Sequence, residues 1–338
     1  MPSVFYTDPA WAVDSSGRLD PALATIEREV YGDEIEIRFG ARDDAGYRID
    51  GEELYARAAG ADAMVVYRCQ VTPRLLEAAG DGCRVVARQG VGLDNLNIPL
   101  LKETGRFGFH VPDYCGDEVS THAMALLLAL ERGVTVQNEA VKTDHWGIYH
   151  GGVPRRTADA TAGIVGFGRI GRAAARKLQA FYGRVLAYDP HVPGDLMASH
   201  GVEHRATLEE LLTACDAVLL HAELTPQSRG LINADTARAF KPGSLLVNAA
   251  RGALVELPAV AAALDDGHLA GFASDVFSPE DPNRDPVAVQ LLKRDDVVVT
   301  SHRAFLSQQA EASLRRRTAE NILHVVRTGQ PPRSGRVA

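Results

Sequence analysis

Apolar residues occur along the whole chain in short runs, separated by stretches where they recur at helical intervals. Val4–Thr7, Ile35–Phe39, Ala63–Tyr67 and Val85–Arg88 are four or five residues long and rich in β-branched or aromatic side chains, which predicts strands. Between two of them, Pro73–Ala79 has Thr72 as N-cap, a proline at the first helical position and Gly80 as a stop, which predicts a short helix. From Thr161 the rhythm is regular: Ile164–Val165, Val185–Tyr188, Ala217–His221, Leu245–Asn248, Phe272–Val276 and Val297–Thr300 predict strands, with helical runs between most of them. Strands alternating with helices imply parallel sheets covered on both faces. The expected class is therefore α/β.

Two further helices are expected. Asp117–Arg132 is strongly apolar, with acidic residues at its start and a basic one at its end, which suits the helix dipole. Its broad apolar surface predicts burial between two domains. Ser307–Thr328 is long and amphipathic, closed by Gly329 and two prolines, and is positioned to return to the first domain. The turn-rich stretch Gly147–Ala160 reads as a loop.

At 338 residues, the chain is long enough for two domains, and its 46% hydrophobic and 24% charged content is that of a globular protein. No apolar stretch is long enough for a membrane span, and the N-terminus does not read as a signal peptide, so a cytoplasmic protein is expected. Cys69, Cys83, Cys115 and Cys215 are far apart, giving neither zinc spacing nor a disulfide framework, so no metal is expected. The net charge of −8 argues against a nucleic-acid surface. The abundance of arginine over lysine suggests GC-rich, bacterial coding.

Chemistry enters at Gly163-Ile-Val-Gly166-Phe-Gly168-Arg169-Ile170-Gly171, a GxGxxG that follows a predicted strand and opens a predicted helix over Arg169–Phe181. In that setting Gly166 permits a tight turn, Gly168 lets the backbone approach a pyrophosphate, and Gly171 lets helix and strand pack closely. The pyrophosphate would sit at the helix N-terminus, where N–H groups and dipole favour an anion. The next strand ends in Asp189, whose carboxylate would receive the ribose hydroxyls and repel a 2′-phosphate. The expected cofactor is NAD.

Three charged residues then stand just beyond predicted strands, where an open parallel sheet faces its ligand: Arg251, Glu280 and His302. These segments, in this order, resemble the D-2-hydroxyacid dehydrogenase family over essentially the whole chain. Arg88-Gln-Gly-Val-Gly-Leu-Asp-Asn95 and Val111–Ala123 are most similar to its C-terminal-binding-protein-like branch, and His302-Arg-Ala-Phe-Leu to D-lactate dehydrogenases.

The resemblance implies an NAD-dependent oxidoreductase acting on a small D-2-hydroxy or 2-keto acid. His302 would donate the proton to the substrate carbonyl oxygen, Glu280 would favour its imidazolium form, and Arg251 would fork onto the substrate carboxylate. Val91, Gly92, Arg88 and Phe305 match substrate-binding positions, and Thr121, His221, Ala222, Thr225, Ala249 and Asp275 match cofactor-contacting ones. The family pattern further implies a flavodoxin-like substrate domain, residues 1–111 and 305–338, into which a Rossmann NAD domain, residues 112–304, is inserted. Pro112–Cys115 and Ala304–Leu306 would be hinges, and a homodimer would pair through the NAD domain.

Relatives mostly carry Pro before the catalytic His and a small or uncharged residue after it; this chain has Ser301 and Arg303. That added cation, with Arg88, would suit a second anionic group on the substrate, such as a carboxylate, phosphate or phosphonate. Glu280 argues against formate oxidation, where the family has Gln, and Val91 against phosphite oxidation, where it has Lys. Phosphoglycerate enzymes often append a regulatory domain, whereas this chain stops soon after its closing helix. A different class, an NAD-sensing corepressor-like binding protein, would keep the same three residues. The bacterial composition and the lack of long disordered tails favour the enzyme.

Overall fold

A computed structural model describes residues 1–338. The chain forms two compact units, Met1–Tyr114 with Ser307–Ala338 (unit 1) and Cys115–Leu306 (unit 2), so that unit 2 is inserted into unit 1.

Unit 1 carries β1 (Ser3–Tyr6), β2 (Glu36–Phe39), the small hairpin β3 (Arg42–Asp43) and β4 (Gly46–Tyr47), then β5 (Ala63–Val66), β6 (Val85–Arg88) and β7 (Phe107–His110). Its main sheet is parallel, in the order β2-β1-β5-β6-β7. The order reverses between β1 and β5, the switch point at which open α/β sheets bind ligands beyond their strand ends. The predicted helix Pro73–Ala79 is present, with the Thr72 hydroxyl accepting from Leu75 N at 3.2 Å.

The long helix Gln308–Thr328 belongs to this unit, begun by Ser307, whose Oγ accepts from Ala310 N, and stopped at Gly329 with φ 67°. Its Ala319, Ile322, Leu323 and Val325 cover Val4, Tyr6, Val65, Val85 and Phe109 of the sheet. A buried ion pair fixes the helix further. Arg315 donates from Nε and Nη2 to the two Glu27 carboxylate oxygens at 3.0 and 2.6 Å, and its guanidinium lies 3.9 Å from the centre of the Trp11 ring.

Unit 2 carries β8 (Thr161–Val165), β9 (Arg184–Tyr188), β10 (Glu203–His204), β11 (Ala217–Leu220), β12 (Ser244–Asn248), β13 (Leu269–Ser274) and β14 (Val297–Val299). All pair in parallel, in the order β10-β9-β8-β11-β12-β13-β14, with the switch point between β8 and β11. The apolar helix Gly116–Glu131 lies within this unit, over β12 to β14 and against the helix Arg169–Leu178. Its wide apolar surface is thus matched by a sheet on one side and a helix on another. No helix is long and apolar enough to cross a membrane.

Candidate active site

At the switch point of unit 2 the turn after β8 is tightly built. Gly166 has φ +94°, and a Cβ there would meet the backbone of His221 and Ala222. A Cβ on Gly171 would strike the Gly166 carbonyl oxygen, so helix and strand touch only because both positions are glycine. Above Gly168, by contrast, a Cβ would meet nothing within 4 Å. Gly168 is also the N-cap of Arg169–Leu178 and offers no side-chain cap. The first N–H groups of that helix, Arg169 and Ile170 among them, therefore lack an intrahelical partner beside an open volume.

Asp189 is fixed next to this turn, accepting from Phe167 N and His191 N at 2.8 Å each. A carboxylate retains acceptor capacity after two such bonds, so ribose hydroxyls can still be received. His221, just past β11, donates its backbone N–H to Val165 at 2.7 Å. Both of its ring nitrogens are buried with no partner, and burial pushes the imidazole down to about 4. A buried imidazole without partners beside an open, N–H-lined turn fits a polar cofactor such as a dinucleotide. Ala222 and Thr225 follow on the same loop, where Thr225 N donates to Ser228 Oγ at 2.8 Å, and Ala249 is buried just beyond β12. Thr121 is exposed on Gly116–Glu131, with its hydroxyl donated to Asp117 O at 2.7 Å.

The second cluster is at the ends of β12, β13 and β14. Asn248 shapes the turn that presents Arg251, accepting from Ala250 N at 3.1 Å and donating to Arg251 O at 2.9 Å. The close approach of Gly252 to the Phe277 backbone sets this turn against the loop leading to Glu280. His302 Nδ1 and Glu280 Oε1 are 2.6 Å apart, which leaves Nε2 as the ring's other proton-bearing site. Phe305 stands edge-on to the imidazole, with ring centres 6.5 Å apart.

His302 adopts φ +54°, unusual for a non-glycine residue. Asp275 holds it there. The Asp275 carbonyl accepts from His302 N at 2.7 Å, and its buried carboxylate accepts from Thr300 Oγ1, Arg303 N and Ala304 N at 2.5, 3.0 and 2.8 Å. His122 reaches the same cluster, its Nε2 lying 2.9 Å from Thr300 Oγ1. Asp275 thus has a turn-anchoring place beyond the cofactor contact the resemblance implied. Asn248 and His122 lie inside segments that carry the resemblance, yet were not singled out in the sequence: Asn248 acts through its own turn, and the partner of His122, Thr300, folds next to it from a distant strand end. Arg303 is exposed, with only its backbone engaged by Asp275 among these bonds.

In unit 1, Arg88 ends β6 and donates to the Gln89 carbonyl, with its guanidinium 5.2 Å from the centre of the Tyr67 ring. Val91 and Gly92 follow in a half-buried turn, where Val91 O lies 2.7 Å from His110 Nδ1.

Residues 124–304 match the family model "D-isomer specific 2-hydroxyacid dehydrogenase, NAD binding domain", more than half of the chain. The chain belongs to that family. Its cofactor is accordingly NAD, and the glycine turn, Asp189 and His221 all fall within the matched dehydrogenase segment. Among relatives, the (S)-sulfolactate dehydrogenase of Chromohalobacter salexigens is 34% identical over 311 residues, covering 90% of this chain and 94% of that one. The D-3-phosphoglycerate dehydrogenase of Mycobacterium bovis is 32% identical over 305 residues, covering 89% of this chain and 54% of that one. The chain spans about half the length of the phosphoglycerate relatives it matches. Among solved structures of the family, the apo D-lactate dehydrogenase of Escherichia coli superposes with a TM-score of 0.81 at 26% identity, covering all of both chains.

Proposed function

We propose that this dehydrogenase passes hydride between NAD(H) and a small D-2-hydroxy or 2-keto acid, with His302 as the proton-transferring residue. The observation that carries the reading is the 2.6 Å contact of His302 Nδ1 with Glu280, on a turn that Asp275 holds in a left-handed conformation. When bound, NADH supplies the hydride. His302 Nε2 donates a proton to the carbonyl oxygen on reduction and takes it back on oxidation, while Glu280 stabilises the imidazolium. Arg251 binds the substrate carboxylate and polarises the carbonyl.

A second anionic group on the substrate belongs to this proposal. The motivation is Arg303 beside His302, and two relatives are named for acids of that kind, sulfolactate and phosphoglycerate. The partner proposed is a second copy of the chain, docked through unit 2. Trp146, Ile148, Tyr149 and Val153 are 86, 78, 74 and 80% exposed on one loop, an apolar group that favours a protein contact.

The test is NADH oxidation with pyruvate, hydroxypyruvate, glyoxylate, oxaloacetate and phosphonopyruvate. Turnover of at least one acid, lost in His302→Asn, is expected. Silence on all of them would overturn the catalytic reading in favour of NAD(H) sensing.

A further inference from the structure

We propose that His122 is a positioning residue for proton transfer: through the Thr300 hydroxyl it fixes the buried Asp275 carboxylate, and with it the turn that aims His302 at Glu280. All of these residues lie in unit 2, and the inference rests on the dehydrogenase reading above.

The first argument is what the turn needs. His302 sits at φ +54°, a conformation that costs a residue with a side chain some strain. One residue holds the backbone there and just beyond. The Asp275 carbonyl accepts from His302 N at 2.7 Å, and its carboxylate accepts from Arg303 N and Ala304 N at 3.0 and 2.8 Å. Asp275 is 1% exposed, so this carboxylate keeps its place only through the donors it receives. The basic side chain beside it is His122, whose Nε2 lies 3.6 Å from Asp275 Oδ1.

The second argument is the direction of the bonds. Thr300 Oγ1 donates to Asp275 Oδ1 at 2.5 Å, and His122 Nε2 lies 2.9 Å from the same hydroxyl oxygen. A hydroxyl has one proton to give. With that proton directed at Asp275, the imidazole must be the donor, so Nε2 carries a hydrogen. Were the ring hydrogen on Nδ1 alone, Nε2 would be an acceptor and would draw the hydroxyl away from the carboxylate. His122 therefore decides whether Thr300 serves Asp275.

The third argument is how firmly the donor is placed. His122 stands on the helix Gly116–Glu131, whose Ala123, Leu126 and Leu127 are buried. Near the start of that helix, Lys177 of the helix Arg169–Leu178 donates to Asp117 Oδ1 and Ser120 Oγ at 2.6 and 2.8 Å. A donor anchored in this way loses little freedom in holding its partner. The chemistry then depends on it at one remove. The 2.6 Å contact of His302 Nδ1 with Glu280 leaves Nε2 for the substrate, and a displacement of that nitrogen by about 1 Å costs on the order of 10²-fold in rate.

The experiment compares wild type, His122→Leu and His122→Gln in NADH oxidation, on whichever acid of the panel above wild type reduces fastest, with thermal melts to verify folding. Leucine fills the space without a donor, and glutamine restores an N–H. His122→Leu should lose roughly 10- to 100-fold, mostly in kcat, and His122→Gln should recover most of the loss. Adding Thr300→Val to His122→Leu should cost nothing further, because both changes break the same chain. Wild-type kcat in His122→Leu, or equal losses in the two His122 variants, overturns the inference and leaves the dehydrogenase reading intact. Should His122→Leu fail to fold, Thr300→Val against Thr300→Ser makes the same comparison.

If wild type reduces none of the acids, the dehydrogenase reading falls, and amide hydrogen exchange over residues 299–305 still decides the role of His122. Exchange about tenfold faster in His122→Leu but not in His122→Gln supports it, and any other pattern overturns it.

Discussion

At the switch point of unit 2 the strands end in glycines, small side chains and a histidine whose ring nitrogens have no partner, beside the uncapped N-terminus of a helix. At the switch point of unit 1 the strands end in arginine, tyrosine and glutamine side chains, and the backbone N–H groups are already taken up by Asp8. The two sheets share a winding pattern and differ in which groups they leave for a ligand. A dinucleotide is long and repetitive in its phosphates, so backbone donors along a turn serve it well. A small acid has few atoms, and charged forks distinguish its oxygens more sharply. Similar architecture therefore leaves specificity to the loops.

The division of labour can be broken most severely at His302. His302→Asn should lower kcat by about 10²- to 10⁴-fold, the worth of a general acid, while NADH binding measured by fluorescence titration persists. Asparagine is the replacement of choice because it tolerates the positive φ better than most residues. Collapse of NADH binding in the same variant would show that the two clusters of unit 2 are not separable.

Unit 1 can be loosened selectively through its buried ion pair. Arg315→Ala leaves Glu27 uncompensated and removes the support under Trp11, and should cost about 3–5 kcal/mol in urea unfolding. A loss below about 1 kcal/mol would mean that apolar packing alone seats the C-terminal helix.

Asp189→Ala addresses cofactor choice within unit 2. Removing this carboxylate should narrow the preference for NADH over NADPH by roughly tenfold, read as the ratio of kcat/KM values. An unaltered ratio would move discrimination to another residue.

The smallest effect concerns pH. Burial holds the His221 imidazole at about 4, against about 6.5 in an unfolded chain. Between those values the unfolded state binds a proton that the folded state does not, so stability declines as pH falls from about 6.5 to about 4 and is unaffected by this group outside that window. His221→Gln should flatten that part of a melting-temperature profile. An identical slope in the variant would mean that other groups set it.

Much of the fold was legible because central strands such as Ala63–Val66 and Val85–Arg88 are β-branched and buried, leaving little ambiguity. Phe107–His110 was missed because Gly108 interrupts its apolar pattern, and Glu203–His204 because a two-residue edge strand has none. The helix Val134–Lys142, set off from its predecessor by Gly133 alone, was not among the predicted elements. In the site, the glycine turn and the ends of β12 and β14 carry local signatures. The partners that orient them do not. His122 meets Thr300 across 178 residues. Pairings of that kind depend on strand order, which no local pattern encodes.

The insertion of unit 2 into unit 1 has a consequence for biosynthesis. As the chain leaves the ribosome, the first sheet is complete once β7 has emerged, but the helix Gln308–Thr328 that covers Val4, Tyr6, Val65 and Phe109 has not yet been made. At about 5–20 residues per second, the intervening segment takes on the order of 10–40 s to synthesise. For that interval the newborn sheet exposes an apolar face. Unit 2, whose segments are contiguous, can fold while unit 1 waits.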